Sequence, residues 1–261
     1  MVCVLRIRGF FDMVYATVDG PRWRAASILY LLSTISEPRQ VIDWDKIQYV
    51  LLDMDGTLLD LHFDNHFWQE VIPRRYAADR GLDVVTAKRV LAPIFRRNEG
   101  TLNWYCLDFW TRELNIDIAA LKQDVAHLIA VHPHVIAFLD ALRAAGKRSI
   151  LVTNAHPKSL ALKLERTRLG THLDAIVSAH DMGHPKEEPA FWEQLQRRQA
   201  FAAENTLLID DTLSVLRAAR RHGIRYLLAI HRPDTRSPPR ETAEFAALHD
   251  FRDILPLPRE G

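Results

Sequence analysis

The chain is nearly without cysteine: Cys3 and Cys106 are the only two in 261 residues. That excludes a disulfide-stapled fold and fits a reducing, cytoplasmic setting. It also lacks an excess of either charge. Lys and Arg total 34 and Asp and Glu total 33, a formal net charge of +1. There is then no whole-chain basic field for a phosphate backbone, and no nucleic-acid partner is expected. No apolar run reaches the roughly 20 residues of a membrane-spanning helix, so no membrane partner is expected either. Internal repeats and low-complexity tracts are missing too. What is present is 48% hydrophobic and 26% charged residues, a composition that builds a core and excludes a disordered chain.

Residues 1–44 stand apart. Arg6, Arg8, Arg22 and Arg24 are spread among apolar residues, and residues 25–35 (AASILYLLSTI) form a short apolar run. The run begins late and no small-residue cleavage site follows it, unlike an export signal. The segment reads as an appendage, or as the result of a start codon assigned too far upstream, and nothing in it looks catalytic.

From residue 49 the pattern becomes regular. Residues 49–53 (YVLLD) are an apolar run ending in an acid, as in a buried parallel strand. Residues 149–153, 174–178, 206–210 and 225–230 repeat it. Helical patterns at 135–145, 157–169, 189–201 and 212–222 lie between them, with Gly146 and Gly223 as stops and Pro157 as a start. The alternation predicts an α/β fold with a doubly wound parallel sheet. It is interrupted once, by about 95 residues between the first two strands that read as helices. Asp64 or Asn65, Thr86, Thr101 and Asp117 are the candidate starts of these helices, with a disturbance at Pro93. The expected division is a core of residues 45–61 and 140–261 and a helical cap of residues 62–139. The tail from His231 is expected to be irregular, with a short helix near 241–248.

The chemistry is concentrated at strand ends. Asp53-Met54-Asp55-Gly56-Thr57 closes the first strand, at the edge where open α/β sheets bind ligands. Carboxylates at i and i+2 share a face, so Asp53 can approach a phosphorus atom while Asp55 reaches a leaving-group oxygen. Both can help to hold a hard divalent cation, and Gly56 permits a sharp turn. Four such fixed residues arise by chance only about twice in a thousand chains of this length, which argues against a strand end with merely solvated acids. Thr153-Asn154 follows the second strand and can cradle phosphate oxygens. Lys186, after the third, can neutralise a carboxylate nucleophile and a phosphoryl group. Asp210-Asp211 closes the fourth, and adjacent acids at a buried strand end call for a cation.

The order DMDGTLLD, TN, K, DD resembles the haloacid dehalogenase (HAD) superfamily, over residues 49 to about 230. The helical insertion resembles that superfamily's C1 cap. Within it, LDMDGTLLDLHFDNHFW, TLNWYCLDFW, VTNAHP and GHPKEEPAFW resemble the bacterial GMP/IMP-type purine 5′-nucleotidases. The resemblance implies a Rossmann-like core and a Mg²⁺-dependent phosphatase acting on a nucleoside monophosphate. It makes Asp53 the nucleophile that forms an aspartyl-phosphate, Asp55 the general acid and then base, and Thr153, Asn154 and Lys186 the phosphate-binding residues. Asp211 becomes the direct metal ligand beside Asp53 and Asp55, with Asp210 behind it or reaching the ion through water. One departure bears on the metal site: many members carry an acid four residues after the metal-binding Asp, and here that residue is Val215.

Specificity is expected in the cap. Asn65, His66, Trp68, Arg74, Arg75, Asn103, Trp104 and Tyr105 are the candidates for base and ribose contacts, although an aromatic stripe at helical spacing is more often core. Phe109 and Trp110 are read as core. His156 and His184 lie near the motifs and are further candidates. Alternatives are a phosphatase or phosphomutase acting on a sugar phosphate or phosphoglycolate. A phosphoacceptor receiver domain is disfavoured, because it would carry no helical insertion and no Asp-Gly-Thr after its Asp.

Overall fold

The computed structural model describes residues 42–256, so residues 1–41, nearly all of the N-terminal appendage, lie outside the described residues. Six parallel strands form one sheet: β1 (Tyr49–Leu52), β2 (Arg148–Thr153), β3 (Ala175–Ser178), β4 (Thr206–Asp210), β5 (Tyr226–Ile230) and β6 (Ala246–Leu248). Their order is β3-β2-β1-β4-β5-β6. The chain leaves β1 toward β2 and returns on its other side as β4, so the point where the winding reverses lies between β1 and β4, the place where such sheets bind ligands.

Period-2 side-chain alternation explains why β1 is apolar throughout. Val50 and Leu52 face one core and Leu51 the other, and all three are fully buried. Val135, Phe138, Leu139 and Leu142, from the helix Val135–Ala144, fill the first side. Phe191, Trp192 and Leu195 from the helix Pro189–Gln199, with Val215 and Leu216 from Leu213–His222, fill the second. Val215, where the resemblance anticipates an acid, is therefore a core residue.

Two expectations are corrected here. The segment near 241–248 is not helical: Ala246, Ala247 and Leu248 pair with Leu228, Ala229 and Ile230 as the edge strand β6. Three small apolar residues carry no readable period. The boundary of the cap also shifts, because the helix Val135–Ala144 packs on β2. Hydrogen bonds from Asp60 N–H to Ala130 C=O and from His132 N–H to Leu58 C=O close the insertion near residue 130 rather than 139.

Inside the cap, the helix starts differ from the expected ones. The first helix begins at His62, whose N–H is taken by Asp60 Oδ1, so Asp64 and Asn65 are interior positions with side chains free for other partners. A π-helical stretch, Phe67–Val71, follows and carries Trp68. The next start is Asp83, whose carboxylate accepts from the Thr86 N–H, and that helix runs through Pro93 to Asn98. The run from Thr101 breaks at Cys106 into Leu102–Tyr105 and Leu107–Leu114. Asp117 caps Ile118–Asp124 as expected. Trp68, Phe95, Trp104 and Trp110 pack edge to face at centroid spacings from 5.2 to 6.2 Å and form the heart of the cap.

Candidate active site

Parallel register places the two acidic strand ends side by side. Leu52 is opposite Ile209, so Asp53 lies against Asp210, and the Asp53 N–H extends the ladder to Ile209 C=O at 3.0 Å. The chain then turns at Gly56, whose φ is +87°. A Cβ there would meet Asp211 Oδ2 at 2.7 Å and Pro233 Cβ at 3.0 Å. Glycine is required both by the left-handed backbone and by the space that Asp211 occupies.

Lys186 is 2% exposed and donates to Asp53 Oδ1 at 2.5 Å and Asp210 Oδ2 at 2.7 Å. Two anchors hold its loop: Asn154 Oδ1 accepts the Lys186 N–H at 2.9 Å, and Trp192 Nε1 donates to the Lys186 C=O at 2.7 Å. The sequence reading aimed the Asn154 amide at phosphate, but the structure spends it otherwise. Its oxygen holds Lys186 and its nitrogen donates to Glu187 Oε2 at 3.0 Å. Thr153 Oγ1 accepts from the Ala155 N–H at 3.0 Å, which leaves its own O–H to donate.

One oxygen from each of Asp53, Asp210 and Asp211 falls within 4.8 Å of the other two. Burial raises all three carboxyls, with mutual repulsion adding to it: Asp53 and Asp211 to about 7 and Asp210 to about 6, against the pull of Lys186. Asp210 is fully engaged, by Lys186 on one oxygen and the Thr212 N–H at 2.9 Å on the other. Asp211 is held more loosely, by Thr212 Oγ1 at 3.1 Å and Arg240 at 3.4 Å. A crowded, oxygen-only donor set whose ionised form is disfavoured fits a hard divalent cation such as Mg²⁺.

Asp55 is not part of this cluster, against the expectation that it shares the metal. Its carboxylate turns to Lys163, whose Nζ lies 2.7 Å from Asp55 Oδ1 and 2.7 Å from Asp64 Oδ2. Asp64 in turn pairs with Lys122 at 2.6 Å. The ladder Asp55–Lys163–Asp64–Lys122 thus runs from the core helix Pro157–Thr167 into the cap, with both lysines at most 2% exposed. Burial raises the Asp55 carboxyl above the ordinary carboxylate range, with Lys163 opposing.

A cavity of about 560 Å³ lies between these groups and the cap, lined by Asp53, Asp55, Thr153, Lys186 and Asp211 on one side and by Asn65, Trp68, Trp104 and Tyr105 on the other. Asn65 faces it with its amide engaged, donating to Asp234 Oδ2 at 2.7 Å. Tyr105 donates to Glu187 Oε1 at 2.7 Å, which joins cap to core. Five expected residues are elsewhere. Asn103 is exposed and does not line the cavity, and neither does His66. Arg74 and Arg75 are spent on the surface acids Glu70 and Asp79, and His184 pairs with Glu188 on the surface. Trp110, read as core, is buried yet also contributes to the cavity wall. Glu187, Lys163, Lys122 and Arg240 line the cavity and were missed. Of these, only Glu187 carried a signal, its place beside Lys186.

Comparison with known proteins agrees with this geometry. The family model for haloacid dehalogenase-like hydrolases matches residues 47–223. The GMP/IMP nucleotidase YrfG of Escherichia coli (strain K12) is 42% identical over 215 residues, 82% of this chain and 97% of that protein. Phosphoglycolate phosphatase 1 of Pseudomonas aeruginosa is 25% identical over 129 residues, 49% of this chain and 47% of that one. Among solved structures, a HAD phosphatase from Thermococcus onnurineus shares the fold with a TM-score of 0.67 at 21% identity, covering 79% of this chain and 95% of that one.

Proposed function

The chain belongs to the haloacid dehalogenase-like hydrolase family, and from that premise we propose that it is a Mg²⁺-dependent phosphatase that hydrolyses purine nucleoside 5′-monophosphates, GMP and IMP. The observation that carries the reading is the buried Lys186 ammonium held between Asp53 and Asp210 at the reversal point of the sheet, under a cavity roofed by Trp68 and Trp104. The similarity to a GMP/IMP nucleotidase over 97% of that protein's length supports the purine. So does the volume of about 560 Å³, which lies in the range of small-molecule sites and leaves most of its space to something larger than a phosphate.

In this reading Asp53 attacks the phosphorus and becomes an aspartyl-phosphate, while the ester oxygen leaves with a proton from Asp55. Asp55 then takes a proton from the water that cleaves the acyl phosphate, and Asp53 is restored. The raised carboxyl of Asp55 suits a group that must arrive protonated. Lys186 and the Thr153 hydroxyl meet the phosphoryl charge, and Asn154 acts by holding the Lys186 loop. Asp53, Asp211 and, through water, Asp210 would hold Mg²⁺, whose charge when bound offsets the repulsion between a carboxylate and a phosphate dianion. Trp68 or Trp104 would stack on the purine, and Asn65, Tyr105 and Glu187, which line the same cavity, would meet the polar edges of the nucleoside.

The test is phosphate release from GMP, IMP, AMP, glucose 1-phosphate and phosphoglycolate, with and without Mg²⁺. GMP and IMP should give the highest kcat/KM, and chelation should abolish turnover. Preference for phosphoglycolate, or conversion of a sugar phosphate to its isomer, would move the assignment to another phosphatase or to a mutase.

A further inference from the structure

Three side chains that the proposed reaction does not use converge where cap meets core. Cys106 sits at the break between two cap helices, His156 precedes the helix Pro157–Thr167, and His180 lies in the 3₁₀ turn after β3. The sulfur of Cys106 and one ring nitrogen from each histidine lie within 4.8 Å of one another. The two imidazoles meet edge to face with centroids 5.0 Å apart. His180 supplies an independent observation: its Nε2 is completely buried and has no hydrogen-bond partner. An imidazole nitrogen that is buried and unpartnered is free to take a metal. Asp108 stands beside His156 but outside the group, with Oδ2 3.7 Å from His156 Nε2 and Oδ1 on Lys158 at 2.6 Å.

We propose that Cys106, His156 and His180 form a three-residue binding site for a zinc-type divalent cation, with solvent in the fourth position, separate from the oxygen-only cluster at Asp53. One sulfur and two imidazoles suit tetrahedral Zn²⁺ and are poor ligands for Mg²⁺. Ligands of one zinc stand about 3.5 Å apart, so the side chains close in by roughly 1 Å, which side-chain torsions supply. Binding exchanges bonds in a defined way. The Cys106 thiol loses its proton to solvent and the thiolate sulfur takes the metal. His156 Nδ1 accepts from the Lys158 N–H at 3.3 Å, so the neutral ring carries its proton on Nε2; on binding that proton moves through solvent to Nδ1, the Lys158 bond is given up and Nε2 takes the ion. Binding therefore releases protons and weakens in acid. One ligand comes from the cap and two from the core, so an occupied site would tie the two together.

The experiment is a Co²⁺ titration of the full chain in excess Mg²⁺, which keeps the oxygen cluster filled, followed by displacement with Zn²⁺. One equivalent of Co²⁺ should bring up a thiolate-to-cobalt charge-transfer band in the near ultraviolet, and Zn²⁺ should remove it. Cys106→Ser, which keeps an acceptor for the Phe109 N–H, should abolish the band. His180→Gln should weaken Zn²⁺ binding by on the order of 100-fold. Both variants should keep the parent's melting temperature and its phosphate release without zinc. The proposal is overturned if the parent shows no charge-transfer band, if Cys106→Ser retains it, or if His180→Gln binds Zn²⁺ as tightly as the parent.

Discussion

Substituting Gly56 by alanine strikes the loop that follows β1 at a point constrained both by its backbone and by Asp211. The residue is held at φ +87°, which costs an L-residue about 1–2 kcal/mol. The new methyl group would meet Asp211 Oδ2 at 2.7 Å and Pro233 Cβ at 3.0 Å, an overpacking of about 1–3 kcal/mol. Together these come to about 2–5 kcal/mol, or roughly 4–20 °C in Tm for a domain of this size. Relief can come only if Asp211 moves aside, and a shift of ~1 Å in a positioned catalytic group costs about 100-fold in rate. Gly56→Ala should therefore melt earlier, turn over more slowly and need more Mg²⁺ for half-maximal activity. Gly223→Ala is the control, because its φ is +103° but a Cβ there finds nothing closer than 3.9 Å. It should lose stability and leave Mg²⁺ dependence unchanged. Scanning calorimetry and a Mg²⁺ titration of initial rates read both effects. Parent-like Tm and Mg²⁺ dependence in Gly56→Ala would refute the claim that this glycine makes room for Asp211.

Four further outcomes are expected. Lys186→Met removes the cation between two buried carboxylates, so kcat should fall by ~10²–10³-fold and unfolding free energy by about 3–5 kcal/mol, read by steady-state kinetics and denaturant titration. Lys163→Met removes the ammonium that pairs with Asp55 and leaves Asp64 to Lys122 alone, and kcat should fall by more than KM changes. Asp64→Asn should flatten the acid side of a Tm-against-pH curve. Burial pushes its carboxyl up, but Lys122 and Lys163 prevail and hold it below the ordinary 3.8, so the stability it contributes is present above that pH and lost on acidification. Trp104→Ala should raise KM for GMP by about 10–100-fold if the indole stacks on the base, whereas Asn103→Ala, exposed and outside the cavity, should change neither constant.

Much of this site could be read from the chain because its chemistry sits at the ends of apolar strands. YVLLD and TLLID are buried on both faces, so their terminal acids had to meet at one edge of the sheet once the strands were parallel, and register did the rest. The short β6 escaped notice because Ala-Ala-Leu has neither length nor period. Lys122 and Lys163 escaped for a different reason. A lysine on an amphipathic helix reads as a solvated face, and only the fold brings Asp55 and Asp64 to them. Asp64 and Asn65 were read as caps because their residue types favour that role, yet Asp60 had already taken it. That the Asn154 amide braces the Lys186 N–H is not legible in the chain, because the two are 32 residues apart and only the fold brings them together.

The central claim is that Asp53 carries the phosphoryl group. Acid quenching during turnover of GMP, followed by peptide mass analysis, tests it directly. The expected result is one phosphoryl group on the peptide containing Asp53, absent after chelation of Mg²⁺ and absent in Asp53→Asn. Full turnover by Asp53→Asn, or a phosphoryl group trapped on any other residue, would contradict it.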